Sequence, residues 1–222
     1  MATGTDERPG AAAWVPDTTD PDALREAAQG CQGCELYRDA TQTVMGQGDP
    51  SAPLLLLGEQ PGDTEDREGK PFVGPAGRVL VSALGEAGIE AREVYRTNVV
   101  KHFRWKAGRG KQRIHQSPTQ AHIRACSPWL VAELAGVEPR GIVLLGGSAG
   151  KAVHGTGFRV GEARGRFEDW PVDRFPTRGG TPWVLATLHP SAVLRADDAD
   201  RDELYRGLVA DLTAAAARLR EG

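Results

Sequence analysis

The residues most able to bind a metal or cluster are three cysteines and five histidines. Cys31 and Cys34 stand as Cys-x-x-Cys, a spacing that lets two sulfurs address one centre. Three cysteines cannot all pair as disulfides, and in a cytoplasmic chain close pairs point to metal or redox chemistry. Cys126 is the third thiol, and His102 follows an apolar run at the point where the chain leaves a strand. Cys31, Cys34, His102 and Cys126 together form a set of three thiolates and one imidazole. Zinc accepts such a set readily. Cubane iron–sulfur clusters favour cysteine, but histidine replaces it in some clusters. Ligand chemistry alone leaves zinc and iron–sulfur both open. The plain alternative is a reduced pair on a surface turn and one buried cysteine.

These residues need elements to position them. Apolar runs at 54–57, 94–100, 142–145 and 183–188 have strand length and are rich in Leu, Val and Ile. Near-continuous runs of this kind suit strands buried on both faces of a parallel sheet. Between them, Val79, Leu80, Ala83, Leu84 and Ala87 share a helical face that ends at Gly88. Ile123, Trp129, Leu130 and Leu134 mark a second helix, started or interrupted near Pro128, and Leu204, Leu208, Leu212 and Ala215 a terminal one. Alternating strands and helices imply βαβ units and a three-layer αβα domain. Ligands of such sheets sit outside the carboxyl ends of the strands. The segments there are GEQPGD, KHFRW, GGSAGK and HPSAVLR, so Glu59, Gln60, Asp63, His102 and His189 are expected on one rim.

Bulk properties bound the rest. With 222 residues, 40% of them apolar, the chain suits one soluble domain at 21–222 after a polar, disordered segment at 1–20. No apolar run approaches the roughly 20 residues that span a bilayer, and the first residues lack a signal-like apolar stretch. A cytoplasmic monomer is expected. The net charge is −3, yet residues 101–113 hold six Lys or Arg and no acid, with Phe103 and Trp105 between them. Such a segment suits phosphates, with a solvated loop as the plain reading. GGSAGK at 146–151 falls one residue short of a phosphate-binding loop and has Ala152 where Ser or Thr is required. It reads as a strand-to-helix turn.

Taken together, CQGCELYRDATQTVMGQGD, LLLLGEQPGDTEDREGKPFVGPAG, TNVVKH and HPSAVLR resemble the uracil-DNA glycosylase superfamily. The likeness runs from Cys31 to Arg195 and is nearest to the family 4 enzymes that carry a [4Fe–4S] cluster. Those enzymes typically have Ala at the place of Gln60 and Cys at that of His102. Both departures, and the extra loop RGKQRIHQSP at 109–118, resemble UdgX, the group that crosslinks itself to DNA. The loop of that group reads Lys-Arg-Arg-Ile-His. Here Lys111, Arg113, Ile114 and His115 match, and Gln112 stands in place of the first Arg.

The resemblance implies a central four-stranded parallel sheet and a [4Fe–4S] cluster on Cys31, Cys34, His102 and Cys126. It implies uracil-containing DNA, single-stranded or duplex, as substrate, in DNA repair. Gly58, Gln60, Phe72, Asn98 and His189 correspond to the uracil pocket: Phe72 stacks on the base and Asn98 reads its edge. Backbone N–H groups of the turn at Gln60–Asp63 and His189 would stabilise the departing uracil anion. His115 would be the nucleophile that bonds to C1′, with Glu59 or Asp63 as its supporting carboxylate. Arg113 would anchor the loop or contact a phosphate. Lys101, Arg104, Lys106, Arg109 and Lys111 would meet phosphates, while Ser191, Leu194 and Arg195 would enter the duplex. An adduct of this kind has no hydrolytic exit, so the protein would act once and hand the DNA to other repair factors. A conventional multiple-turnover iron–sulfur glycosylase is the alternative.

Overall fold

Four successive leucines close off any surface position for their strand. Leu54–Gly58 forms β1, and all five residues are buried. Val94–Asn98 forms β2, Trp105–Ala107 β3, Arg113–His115 β4, Gly141–Leu145 β5, Phe167–Asp169 β6 and Trp183–Thr187 β7. The computed structural model describes residues 8–221. The sheet order is β2-β1-β5-β7-β6, with the first four strands parallel and β6 antiparallel to β7. The expected four-stranded parallel sheet is therefore present and carries a fifth strand. Residues 167–169 are short and wholly exposed, so this edge strand has no apolar run to mark it.

Helices cover both faces. Pro21–Ala28 (α1), Gln120–Ala135 (α4) and Gly146–His154 (α5) lie with Leu55, Leu57, Ile142 and Leu144 on one side. Pro75–Glu86 (α3) and Asp198–Glu221 (α8) pack with Leu54, Leu56, Val143 and Leu145 on the other. The leucines of β1 thus alternate between two cores, as the pleat requires. Short helices Asp63–Glu68 (α2), Val160–Ala163 (α6) and Pro190–Arg195 (α7) fill the connections. Helix α4 continues through Pro128. One lost backbone hydrogen bond is outweighed there by the burial of Trp129, Leu130 and Leu134.

Of the segment expected to be disordered, residues 1–7 lie outside the described residues. Residues 8–20 are laid against the domain, which corrects that expectation. Gly10 N–H donates to the Gly33 carbonyl at 3.0 Å and Ala11 N–H to that of Ala125 at 2.8 Å, and Ala11 is buried. Main-chain bonds of this kind have no side-chain signature. Asp20 then caps α1 through the N–H groups of Asp22 and Ala23.

The register aligns the strand ends. Gly58 lies beside Asn98, Leu57 beside Leu144, and Leu145 beside Thr187. Everything that follows these residues emerges on one rim. The hairpin β3–β4 pairs Trp105 with His115 and Ala107 with Arg113, and stands as a separate ribbon. No described helix is long and apolar enough to cross a membrane.

Candidate active site

Gly58, Phe72 and Asn98 meet at the ends of β1 and β2 as a candidate base slot. A Cβ on Gly58 would overlap the Asn98 amide oxygen and come within 2.6 Å of Phe72 Cζ. Only glycine admits both side chains. Phe72 is held at φ 58°, the left-handed region that an aromatic residue rarely adopts. The close approach of Gly77 to the Phe72 carbonyl needs the same absence of a side chain. Strain of this sort persists where the surroundings over-determine the backbone. Gly58→Ala is expected to displace Phe72 and Asn98 while circular dichroism shows the fold retained; an alanine chain whose Phe72 and Asn98 NMR signals do not move would dismiss the close packing.

The hairpin brings His115 over the same rim. Its Nε2 lies 3.4 Å from Glu59 Oε1, in the segment that follows β1. Burial lowers the His115 pKa below the ordinary imidazole value, the Glu59 carboxylate opposes this, and Arg195 adds to it. Burial and Arg195 thus both favour the neutral form of the ring. The other oxygen of Glu59 accepts a hydrogen bond from the Ser148 hydroxyl. Glu59, rather than Asp63, is the carboxylate at the imidazole.

Arg113 holds the hairpin down. It pairs with Asp63, and its Nη1 donates to Asp66 at 2.6 Å and to Thr41 Oγ1 at 3.2 Å. Its guanidinium lies 5.4 Å from the Phe103 ring centre and 5.5 Å from that of Trp105. The Arg113 side chain is only 10% exposed, and these contacts tie the hairpin to α2 rather than reach toward a phosphate. Asp66, fully buried, was not anticipated; its place three residues after Asp63 on α2 was the available signal. Gln112 sits at the hairpin turn, where only its backbone pairs, with Gly108 and Arg109. A lysine cannot satisfy two carboxylates and two rings together. Arg113→Lys should loosen the hairpin that carries His115, as faster amide hydrogen exchange across residues 105–115 will show.

Two further expectations are corrected. The Gln60 amide does not reach into the slot: its Nε2 donates to the carbonyls of Arg104 and Gln116, both at 3.2 Å, and its Oε1 accepts from Arg104 N–H. It clamps the two strands of the hairpin at their base, because an amide can serve a backbone donor and acceptor at once. Lys101 is fully buried and cannot meet phosphates. Its Nζ donates to Glu133 at 2.7 Å and to Thr97 Oγ1 and the Asn98 carbonyl at 2.8 Å. A buried cation is retained by these partners. The basic residues left for solvent are Lys106, Arg109 and Lys111, all exposed, with half-buried Arg104 tied to Ser117.

His189 caps α7. Its Nδ1 accepts from Ser191 N–H at 3.1 Å, which requires that nitrogen to be unprotonated. Burial pushes its pKa down to about 4, with Arg195 and His115 adding to the effect. A neutral ring with its proton on Nε2 follows. Arg195 Nη1 donates to Ser191 Oγ at 2.8 Å, and Leu194 beside it is 45% exposed. A large bare leucine on a short helix is a suitable wedge for a base stack.

Cys31, Cys34 and Cys126 are free and buried, and His102 is buried near them. A cavity of about 150 Å³ is lined by Cys31, Gln42, Thr43 and His102, among others. Among the described residues, the buried Thr43 hydroxyl has no hydrogen-bond partner. Backbone N–H groups of Gly33 and Lys101 point at the sulfurs of Cys31 and Cys126, at 3.5 and 3.3 Å. Burial pushes the Cys126 thiol up to about 12, so thiolates here need a positive centre beside them. Among the described residues, no three His, Cys, Asp or Glu side chains lie close enough together for a single metal ion. Of the four expected ligands, Cys31 and His102 border that cavity, and three thiols with one imidazole are donors of the kind an iron–sulfur cluster takes.

The parallel sheet between two helix layers, with polar side chains gathered at its strand ends, defines a three-layer α/β domain, and residues 45–213 match the uracil DNA glycosylase superfamily, to which the chain belongs. The chain is 32% identical to the Type-4 uracil-DNA glycosylase of Thermotoga maritima over 199 residues, covering 89% of this chain and 94% of that protein. It is likewise 32% identical to the Type-4 uracil-DNA glycosylase of Saccharolobus solfataricus over 184 residues, 78% of this chain and 76% of that protein. The crystal structure of wild-type Pedobacter heparinus SMUG2 shares the fold at a TM-score of 0.52 and 12% identity, over 75% of this chain and 77% of that one.

Proposed function

We propose that the chain excises uracil from DNA and captures the resulting sugar on His115, once per molecule. The observation that carries this is an imidazole 3.4 Å from a carboxylate, on the rim that holds the Gly58–Phe72–Asn98 slot. Relatives described as uracil-DNA glycosylases support the first half of the reading.

In this reading a flipped uracil enters the slot, stacks on Phe72 and pairs its edge with the Asn98 amide. The C1′–N1 bond breaks, and its electron pair leaves on uracil. His189, protonated at Nε2, donates to the anion at O2. The sugar is left as a cation at C1′. A lone pair on the His115 ring forms the new bond to C1′. Glu59 balances the positive charge that builds on the ring and is placed to receive its remaining N–H proton. The product is a neutral ring bonded to DNA, with no leaving group for water to displace.

Cys31, Cys34, His102 and Cys126 would hold a [4Fe–4S] cluster that ties three distant segments of the chain together and takes no part in the reaction. Iron and sulfide analysis separates this from one zinc per chain. Exposed Lys106, Arg109 and Lys111 would meet phosphates, so encounter should weaken with salt. Leu194 and Arg195 would occupy the gap left by the base.

The test is stoichiometry. Excess uracil-containing oligonucleotide, single-stranded or duplex, should yield one uracil per protein and one protein–DNA band that survives SDS. Many uracils per protein and no such band would identify a conventional glycosylase. The pH dependence has a worked sign. A ring whose pKa lies below its ordinary value is more than half neutral at about pH 6.5 and above. Adduct formation should therefore fall as acid protonates the ring, with a midpoint below about pH 6.5; a midpoint at or above about pH 7 would contradict the lowered pKa.

A further inference from the structure

We infer that Ser148 is a positioning residue for the capture step, acting on His115 through Glu59; the inference rests on the reading of His115 as nucleophile. Gly146 follows β5 at φ 86°, where a side chain is disfavoured and where a Cβ would come within 2.8 Å of His189 Cβ. This turn starts α5 against the rim and puts Ser148 in its first turn. Register places β5 directly beside β1, so the residue after each strand end lies next to the other. Ser148 Oγ donates to Glu59 Oε2, and Glu59 Oε1 faces His115 Nε2 at 3.4 Å.

The consequence is geometric. A glutamate carboxylate on three rotatable bonds has many orientations available, and the Glu59 side chain is 17% exposed. Among the described residues, no other side chain hydrogen-bonds this carboxylate. Fixing Oε2 on an element of the sheet's core holds Oε1 toward the ring. The imidazole itself rides on a hairpin that belongs to no core sheet, and its side chain is 47% exposed. The ring's other charged neighbour is Arg195, which opposes protonation of the ring. The rigid side of the pair is thus supplied by Ser148. The α5 N-terminus adds a favourable field for the carboxylate.

The experiment uses the cluster-loaded, full-length protein. Ser148→Ala should slow formation of the SDS-stable adduct about tenfold, since hydrogen bonds to charged groups are the stronger kind. Uracil-DNA affinity should be unchanged. Ser148→Thr keeps the hydroxyl and should restore the rate. Ser148→Ala combined with Glu59→Gln should be no slower than Glu59→Gln alone, because both act through one carboxylate. A second readout does not need the adduct: NMR titration of ring-labelled histidine in the free protein, assigned with His115→Ala. Releasing Glu59 removes the influence that raises the ring's pKa, so the His115 midpoint should fall in Ser148→Ala and return in Ser148→Thr. An unchanged midpoint in the alanine chain, or a threonine chain as slow as the alanine one, overturns the inference. A wild-type protein that forms no adduct overturns the capture reading instead, and the titration then decides alone whether Ser148 governs the ring.

Discussion

Replacing His115 by alanine is expected to reduce the SDS-stable protein–DNA band by at least about 10³-fold, while uracil continues to be released. The two outcomes separate because the slot and the proposed nucleophile belong to different parts of the chain. Gly58, Phe72, Asn98 and His189 stand on the core sheet or its immediate connections. His115 stands on a hairpin held by Arg113 and Gln60. Removing the ring leaves the base-leaving machinery complete. Water can then reach C1′ and give an ordinary abasic site. The alanine chain should accordingly release more than one uracil per protein. The measurement is a denaturing gel and a uracil assay on the same samples. An alanine chain that still crosslinks fully would remove His115 from the reaction. One that releases no uracil would place the ring in bond cleavage rather than capture.

A second large effect is expected far from the slot. Lys101→Met should destabilise the protein by about 3–5 kcal/mol, because it strands Glu133 without a counter-charge. Both side chains are almost fully buried, at 0% and 3% exposure, with 2.7 Å between Nζ and the carboxylate. Glu133 also accepts from Gly46 N–H at 2.5 Å, and from Tyr95 and Thr97, so it cannot turn to solvent. Lys101→Met with Glu133→Gln should lose less than Lys101→Met alone, since no buried charge remains. Chemical denaturation of the holoprotein measures this. If Lys101→Met were as stable as the parent and instead bound DNA with a shallower salt dependence, the lysine would be a phosphate contact after all. Because Lys101 also holds the Asn98 carbonyl, a further fall in uracil release should accompany the loss.

Lys101 also shows where sequence reading stops. In the run KHFRWKAGRGKQR it looks like its basic neighbours, and nothing local distinguishes it. Its partner Glu133 lies 32 residues away on α4. Gln60 and Arg113 follow the same pattern: their types announced polar work, and their partners lie 44 to 56 and 47 to 72 residues distant. Ser148 was hidden most completely. GGSAGK reads as a turn, and the contact that matters crosses 89 residues to Glu59. The edge strand β6 and the N-terminal segment escaped for another reason, since their backbone hydrogen bonds involve no characteristic side chains.

What the sequence by itself determined was the four parallel strands, the helices between them and the residues gathered at the strand ends. Apolar runs and helical periodicity record which face of an element must leave water, and that cost is local enough to be read along the chain. The tertiary structure alone decided which carboxylate meets His115, which cation is buried and which amide clamps the hairpin. A polar side chain is satisfied by whatever donor or acceptor another element brings within about 3 Å, and that meeting exists only once the layers have packed.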